Sequence, residues 1–210
     1  MTEQELRKIL YDSGVKLLDN NLVQGTWGNS SVRIDDKYMF ATPSGLDYKS
    51  LKPEDMAKVD LETLEWTGRL KPTSERGIHA AVYRTRPDIG AVIHTHPLYG
   101  SIFAAARQTL PADDETAAIF GGDVRVAAYG LPGTKKLREG TLKAMEGRNA
   151  CFMANHGVLC CGKDMDGAFE TAYMLEKACR EFIEKRVLEL TGETEYSEEL
   201  LDNWFLKQPH

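Results

Sequence analysis

His94 and His96 stand one residue apart at the end of the run Gly90-Ala91-Val92-Ile93. That run is short, apolar and β-branched, the composition of a buried strand. Side chains two residues apart on a strand point to one face, so both imidazoles project into one small space. Paired imidazoles suit Zn²⁺, which takes His nitrogens at about 2.0–2.1 Å. Two histidines satisfied by backbone groups at a strand end would have the same pattern. His156, in Asn155-His156-Gly157, adds a third imidazole between two apolar segments. Gly157 permits a sharp turn that would present the ring from a loop. A site of three histidines leaves the fourth zinc position open for substrate or water, as in a catalytic centre. A surface turn histidine is the competing account of His156.

Glu75 follows Thr73-Ser74 at the start of a predicted helix. A carboxylate there suits the helix dipole, and it also suits a fourth ligand or a general base. His79 lies one turn later on the same face, within reach of Glu75, and reads first as a core histidine. Three stretches have the make-up of anion sites: Gly28-Asn29, Ser44-Gly45 and Thr73-Ser74. Each joins bare backbone N–H groups to a side-chain donor, and the last opens a helix. Taken singly, each is also an ordinary turn or cap.

The surrounding pattern supplies elements to hold these groups. Leu6, Ile9, Leu10, Leu17, Leu18 and Leu22 form a helical stripe over residues 3–22. Gly25 and Gly28 break it. Residues 31–34 and 38–41 flank Asp35-Asp36 as a hairpin, and 57–61 and 65–70 read as two more strands. A helix is expected over 72–84, with Thr73 or Ser74 as its N-cap. Further helices are expected over 99–106, 134–145 and 164–190, and strands over 90–96 and 124–127. Irregular interleaving with early hairpins predicts one α/β domain over residues 1–210, its sheet containing antiparallel pairs and covered by helices. Residues 192–210 read as a tail, polar until Trp204-Phe205-Leu206. Gly25-x-x-Gly28 is too short and too early for a dinucleotide or nucleotide-phosphate loop.

The composition narrows the partners. The chain has 210 residues, 42% hydrophobic and 28% charged, with net charge −6 and no Lys/Arg block. Neither a nucleic-acid surface nor an anionic-membrane surface is indicated. MTEQELRKILYDSG is charged and amphipathic, unlike a signal peptide, and no run has membrane-spanning length. None of Cys151, Cys160, Cys161 and Cys179 forms a C-x-x-C pair. Reduced, buried thiols in a cytoplasmic protein are expected, rather than zinc ligands.

Five motifs join these readings. GTWGNSSVR (25–33), TPSG (42–45), KPTSE (71–75), HTHP (94–97) and ANHG (154–157) occur in the order and spacing of the class II aldolase/adducin family. The chain resembles that family over about residues 5–185, and its L-fuculose-1-phosphate aldolase group most. The resemblance implies a three-layer α/β/α fold with a mainly antiparallel central sheet. It implies a homotetramer with active sites between subunits. His94, His96 and His156 would hold one Zn²⁺ per subunit, with Mn²⁺ or Co²⁺ as alternatives. Glu75 would be the acid/base and a further metal ligand when no substrate is bound. Gly28, Asn29, Ser44, Gly45, Thr73 and Ser74 would hold a substrate phosphate. The implied reaction is reversible cleavage of a ketose-1-phosphate, of fuculose or 5-deoxypentulose type, to dihydroxyacetone phosphate and an aldehyde. Intact metal residues separate the chain from non-catalytic, adducin-like interaction modules.

One position departs from the pattern. In fuculose-phosphate aldolases a tyrosine from a neighbouring subunit protonates the aldehyde oxygen. Glu115 stands at about that place, in LPADDET. It reads as a substitute proton donor or as a solvated helix residue. A glutamate there is also similar to the methylthioribulose-1-phosphate dehydratase branch, so dehydration stays open. A pentulose-phosphate epimerase is the weaker alternative, because family epimerases carry Asp in place of Glu75. Trp204 and Phe205 match the aldolase C-terminal aromatics only loosely.

Overall fold

The computed structural model describes residues 1–200. Trp204, Phe205 and Leu206 lie outside them. One eight-stranded sheet runs through the molecule. In chain order its strands are β1 (Gly28–Arg33), β2 (Tyr38–Ala41), β3 (Ala57–Asp60), β4 (Trp66–Thr67), β5 (Ala91–Thr95), β6 (Arg125–Ala127), β7 (Ala150–Met153) and β8 (Gly157–Gly162). Their spatial order is β4-β3-β2-β1-β5-β8-β7-β6. Every neighbouring pair is antiparallel except β6 with β7, so the sheet is mixed and mostly antiparallel.

Helices cover both faces. They are α1 (Glu3–Asp19), α2 (Arg76–Thr85), α3 (Leu98–Ala106), α4 (Asp114–Phe120), α5 (Lys135–Ala144) and α6 (Met165–Thr191). Strand alternation divides the core in two. Val32, Phe40, Ile93 and Cys160 pack with α1, α3 and α6. Met39, Ala41, Val92 and Cys161 pack with α2 and α5. The expected three-layer α/β/α architecture follows from that division. The central strands β5, β7 and β8 are buried along their whole length, which explains their unbroken apolar composition. All four cysteines are buried free thiols. Among the described residues no helix is long and apolar enough to cross a membrane.

The departures from the sequence reading are local and lie where the site is built. β1 begins at Gly28 rather than residue 31, because β5 recruits it: Gly28 pairs with Thr95 and Asn29 with His94. β5 ends at Thr95, which leaves His96 one residue beyond the strand. α2 begins at Arg76, so Glu75 is its N-cap and neither Thr73 nor Ser74 is. The Thr73 hydroxyl instead accepts from the Glu75 N–H at 3.2 Å, a local turn that competes with the helix. β4 covers two residues of the six expected, since Gly68 turns the chain away at φ +137°. α4 lies where the sequence offered a helix only as the alternative setting of Glu115; Asp113 and Thr116 close its first turn as a capping box.

Candidate active site

The motifs meet in one cleft of about 610 Å³. Gly28, Asn29, Ser44, Gly45, Thr73 and Ser74 line it, together with Glu75, His96 and His156. His94 lies beneath, 1% exposed. β1 and β5 lie side by side and deliver Asn29 and His94; the β7–β8 hairpin delivers His156; the chain entering α2 delivers Glu75.

The hairpin turns by an unexpected residue. Asn155, not Gly157, adopts the left-handed conformation, at φ +54°. Asn tolerates that region because its short amide bonds locally. Gly157 does something else. A Cβ there would stand 2.6 Å from the Thr95 carbonyl, 3.1 Å from His94 Cε1 and 3.3 Å from His96 Cδ2. Its bare Cα is what lets His156 approach the H-x-H pair.

The three imidazoles form a compact cluster, with ring centroids 4.7, 4.8 and 5.2 Å apart. Each can offer a nitrogen, and these nitrogens lie within 4.8 Å of one another. His94 Nδ1 stands 2.8 Å from the Val158 carbonyl. A carbonyl only accepts, so Nδ1 carries the proton and Nε2 turns a lone pair into the site. That lone pair meets His96 Nε2 at 2.9 Å and Glu75 Oε2 at 3.2 Å. Glu75 Oε1 lies 3.4 Å from His156 Nε2. Electron-rich atoms converge this closely only around a shared proton or cation. Burial, followed by the closeness of the His94 and His156 rings, which disfavours a further positive charge, lowers the His96 pKa to about 4. Burial and His94 also lower that of His156. Neutral imidazoles are the form that ligates metal. The donor set therefore fits a divalent ion of the zinc type.

Glu75 is 8% exposed. Burial pushes its pKa up, but His94, a hydrogen bond from Asn29, His156 and His79 outweigh it, and the net direction is down. Asn29 Nδ2 donates to Glu75 Oε2 at 2.9 Å. Glu75 Oε1, Asn29 Oδ1 and His156 Nδ1 are buried without a hydrogen-bond partner. Polar atoms left so in a native site mark a place for a ligand or an ion. The small-residue turns keep donors unengaged as well. The Ser44 N–H is bonded to the Lys71 carbonyl and the Thr73 N–H to the Thr42 carbonyl. The N–H groups of Gly45 and Ser74 have no such bond among the described residues, and Gly45 holds φ +69°.

Glu115 does not join this cluster. It is exposed in the first turn of α4 and does not line the cleft of its own chain. Other residues do take part that the motifs did not single out. Trp27, 66% exposed, stands at the cleft wall. Arg107 donates twice to Asn155 Oδ1, at 3.2 and 3.0 Å, beside His156. The Glu176 carboxylate accepts the Tyr99 and Gly100 N–H groups at 2.8 Å each, capping α3 directly after the H-x-H-P turn. Asn before His-Gly was a usable signal for a left-handed turn. Nothing local could have linked Glu176 to Tyr99, 77 residues away.

Comparison with known proteins agrees with the motif order. Residues 9–183 match the family model for the class II aldolase and adducin N-terminal domain. The 5-methylthioribulose-1-phosphate/5-deoxyribulose-1-phosphate aldolase of Rhodospirillum rubrum is 38% identical, over 84% of this chain and 80% of that protein. The 5-deoxy-D-ribulose 1-phosphate aldolase of Bacillus thuringiensis is 36% identical, over 84% and 83%. A solved L-fuculose 1-phosphate aldolase is 34% identical and superposes with a TM-score of 0.82, over 97% of this chain and 95% of that one. The chain belongs to the class II aldolase and adducin family.

Proposed function

We propose that the protein is a zinc-dependent class II aldolase. It reversibly cleaves a 5-deoxypentulose-1-phosphate, or a related ketose-1-phosphate such as fuculose-1-phosphate, to dihydroxyacetone phosphate and an aldehyde. The observation that carries this reading is the placement of Glu75. One buried carboxylate stands 3.2 and 3.4 Å from nitrogens of two candidate metal ligands, at the foot of a cleft rimmed by backbone donors. The activities for which the Rhodospirillum and Bacillus relatives are named favour the 5-deoxypentulose class over fuculose.

His94, His96 and His156 would hold one metal per subunit, with Glu75 as a further ligand before substrate arrives; Mn²⁺ or Co²⁺ would also suit the set. When bound, the metal supplies Lewis-acid stabilisation of the negative charge that develops on the substrate oxygens. The remaining work falls to the chain. Gly45 and Ser74 N–H groups, with the Ser44, Thr73 and Ser74 hydroxyls, grip the phosphate, and the bare Gly28 backbone and the Asn29 amide close that end of the cleft. This grip uses binding energy remote from the reacting carbon to position it. Glu75 removes the proton from the hydroxymethyl carbon of dihydroxyacetone phosphate for condensation and returns it after cleavage. Oε1, which has no hydrogen bond, is the oxygen placed to take it. Glu115, exposed in its own chain, would reach the aldehyde oxygen across a subunit boundary in a homotetramer. Residues 1–210 would act as one cytoplasmic domain with 192–210 as its tail.

The test is to incubate metal-loaded protein with dihydroxyacetone phosphate and a panel of short aldehydes, including acetaldehyde. A ketose-1-phosphate product is expected. Absence of any carbon–carbon bond formation, with dehydration of methylthioribulose-1-phosphate instead, would replace the aldolase reading with a dehydratase.

A further inference from the structure

A row of polar groups, buried at Asn29 and Ser31 and half-buried at Arg33, runs along β1 beneath α2. Asn29, Ser31 and Arg33 alternate toward the helix, as residues on one strand face must. Asn29 donates to Glu75 at the head of α2. The Ser31 hydroxyl lies 2.7 Å from His79 Nδ1 and 2.9 Å from the Tyr83 hydroxyl. Arg33 donates to the carbonyls of Tyr83, Arg86 and Ile89 at the foot of the helix. A two-residue step on a strand spans about 6.6 Å, close to the rise of one helical turn, so each strand residue meets one turn. The row stands within an otherwise apolar layer, and Ser31 and His79 are both fully buried. Burying such groups is costly unless all are paired, which makes an incomplete member informative.

His79 is that member. Nε2 is buried and has no partner. The hydrogen positions follow from counting. The Tyr83 hydroxyl has one proton and so does Ser31. If His79 Nδ1 donated to Ser31, Ser31 would donate to Tyr83, and the Tyr83 proton would be left without an acceptor among the hydrogen bonds of the described residues. If Tyr83 donates to Ser31 and Ser31 to Nδ1, every group is satisfied except one: His79 then carries its proton on Nε2. Burial keeps the ring neutral, with its pKa down to about 3. The head of the same row holds the complementary vacancies. Asn29 Oδ1 and Glu75 Oε1 are buried acceptors without donors.

We infer that His79 is a positioning residue for Glu75: the Tyr83–Ser31–His79 chain fixes an Nε2–H donor that serves Asn29 Oδ1 or Glu75 Oε1 as the site works. Its effect is on direction. An Nε2–H that engages the Asn29 oxygen would fix the amide with its NH₂ on Glu75, where it already donates, and so hold the carboxylate toward His94 and His156. When substrate displaces the carboxylate, the same N–H meets Oε1. The inference rests on the proposed role of Glu75 and adds to it the group that aims it.

Two measurements test it. The first uses the metal-loaded wild-type protein, ¹⁵N-labelled at histidine. His79 is expected as a neutral Nε2–H tautomer between pH 5 and 8, with a nitrogen shift that moves on adding dihydroxyacetone phosphate. An Nδ1–H tautomer, or an Nε2–H signal that ignores both dihydroxyacetone phosphate and Glu75→Gln, overturns the inference. The second is kinetic. His79→Leu should slow proton exchange on dihydroxyacetone phosphate about 10- to 100-fold, the usual range for a residue orienting a metal-site group. KM and metal content should change far less than the exchange rate, since the three histidine ligands and the Gly45 and Ser74 N–H groups are untouched. His79→Gln, which restores a donor near Nε2, should recover most of the rate. Unchanged exchange in His79→Leu overturns the inference, and so does equal failure of Leu and Gln. Failure of the underlying reading looks different: Glu75→Gln would itself retain exchange.

Discussion

The heads of α2 and α4 each carry a glutamate with a proposed acid/base role, and they could hardly differ more. Glu75 is 8% exposed, receives a hydrogen bond from Asn29, and stands against the His94 and His156 imidazoles. Glu115 is exposed on a seven-residue helix whose capping box leaves it no special partner. Residue type is the same; burial and neighbours are not. A carboxylate does acid/base work when its surroundings hold it at the reacting atom and set its charge. At α2 one chain supplies those surroundings. At α4 they would have to come from another copy of the chain.

The largest contrast should appear in Glu75→Gln. The amide keeps shape and loses the base. Proton exchange on dihydroxyacetone phosphate should fall about 10³-fold or more, or about 4 kcal/mol of transition-state stabilisation. Metal content, measured by atomic absorption, should persist on the three histidines. Exchange within ten-fold of wild type would erase the distinction between the two glutamates.

The next contrast is in acid. His79 stays neutral in the folded protein down to about pH 3, whereas an unfolded histidine takes up a proton near 6.5. The unfolded state then binds more protons, so stability falls as pH drops from about 6.5 toward 3, by about 1.4 kcal/mol per unit for that group. The capping carboxylate at α4 loses stability in the same direction but in a lower pH window. Its bonds to the Thr116 side chain and backbone lower the Asp113 pKa, so it loses its contribution only as pH falls below about 4. Urea unfolding of the metal-free protein between pH 7 and 4 should therefore report the buried histidines, His79 together with His96 and His156, and not α4. The slope should shrink in His79→Leu. An unchanged slope would mean that His79 takes up a proton without unfolding.

How much of this was legible depends on the range of the signal. The H-x-H pair announced itself because strand alternation is local, and the long stripe of α6 did so because helical periodicity is too. The start of β1 was missed for the opposite reason. Gly28 and Asn29 have no strand character of their own and become strand only by pairing with Thr95 and His94. Glu75 was expected inside the first turn and is the N-cap, since the Thr73 side chain bonds to its N–H. In the sequence Gly157 reads as a turn residue, but its importance is the room it leaves for the rings of His94 on β5 and His96 just past it. The resemblance supplied the assembly of five motifs into one site; local physics supplied the reasons for each part.

The smallest contrast is the one that decides what α4 is for. Glu115→Gln removes a proton donor without disturbing the cap, because Asp113 and Thr116 make that box by themselves. Were Glu115 the donor to the aldehyde oxygen, condensation with acetaldehyde should slow about 10- to 100-fold, since a positioned proton transfer contributes at least about 10² and solvent replaces part of it. Exchange on dihydroxyacetone phosphate alone should be untouched, because no aldehyde takes part. That split is one Glu75→Gln cannot produce, as it removes the step both assays share. Equal loss in both assays would place Glu115 in the structure of the subunit contact. No loss in either would return it to solvent and leave the aldehyde oxygen to another donor.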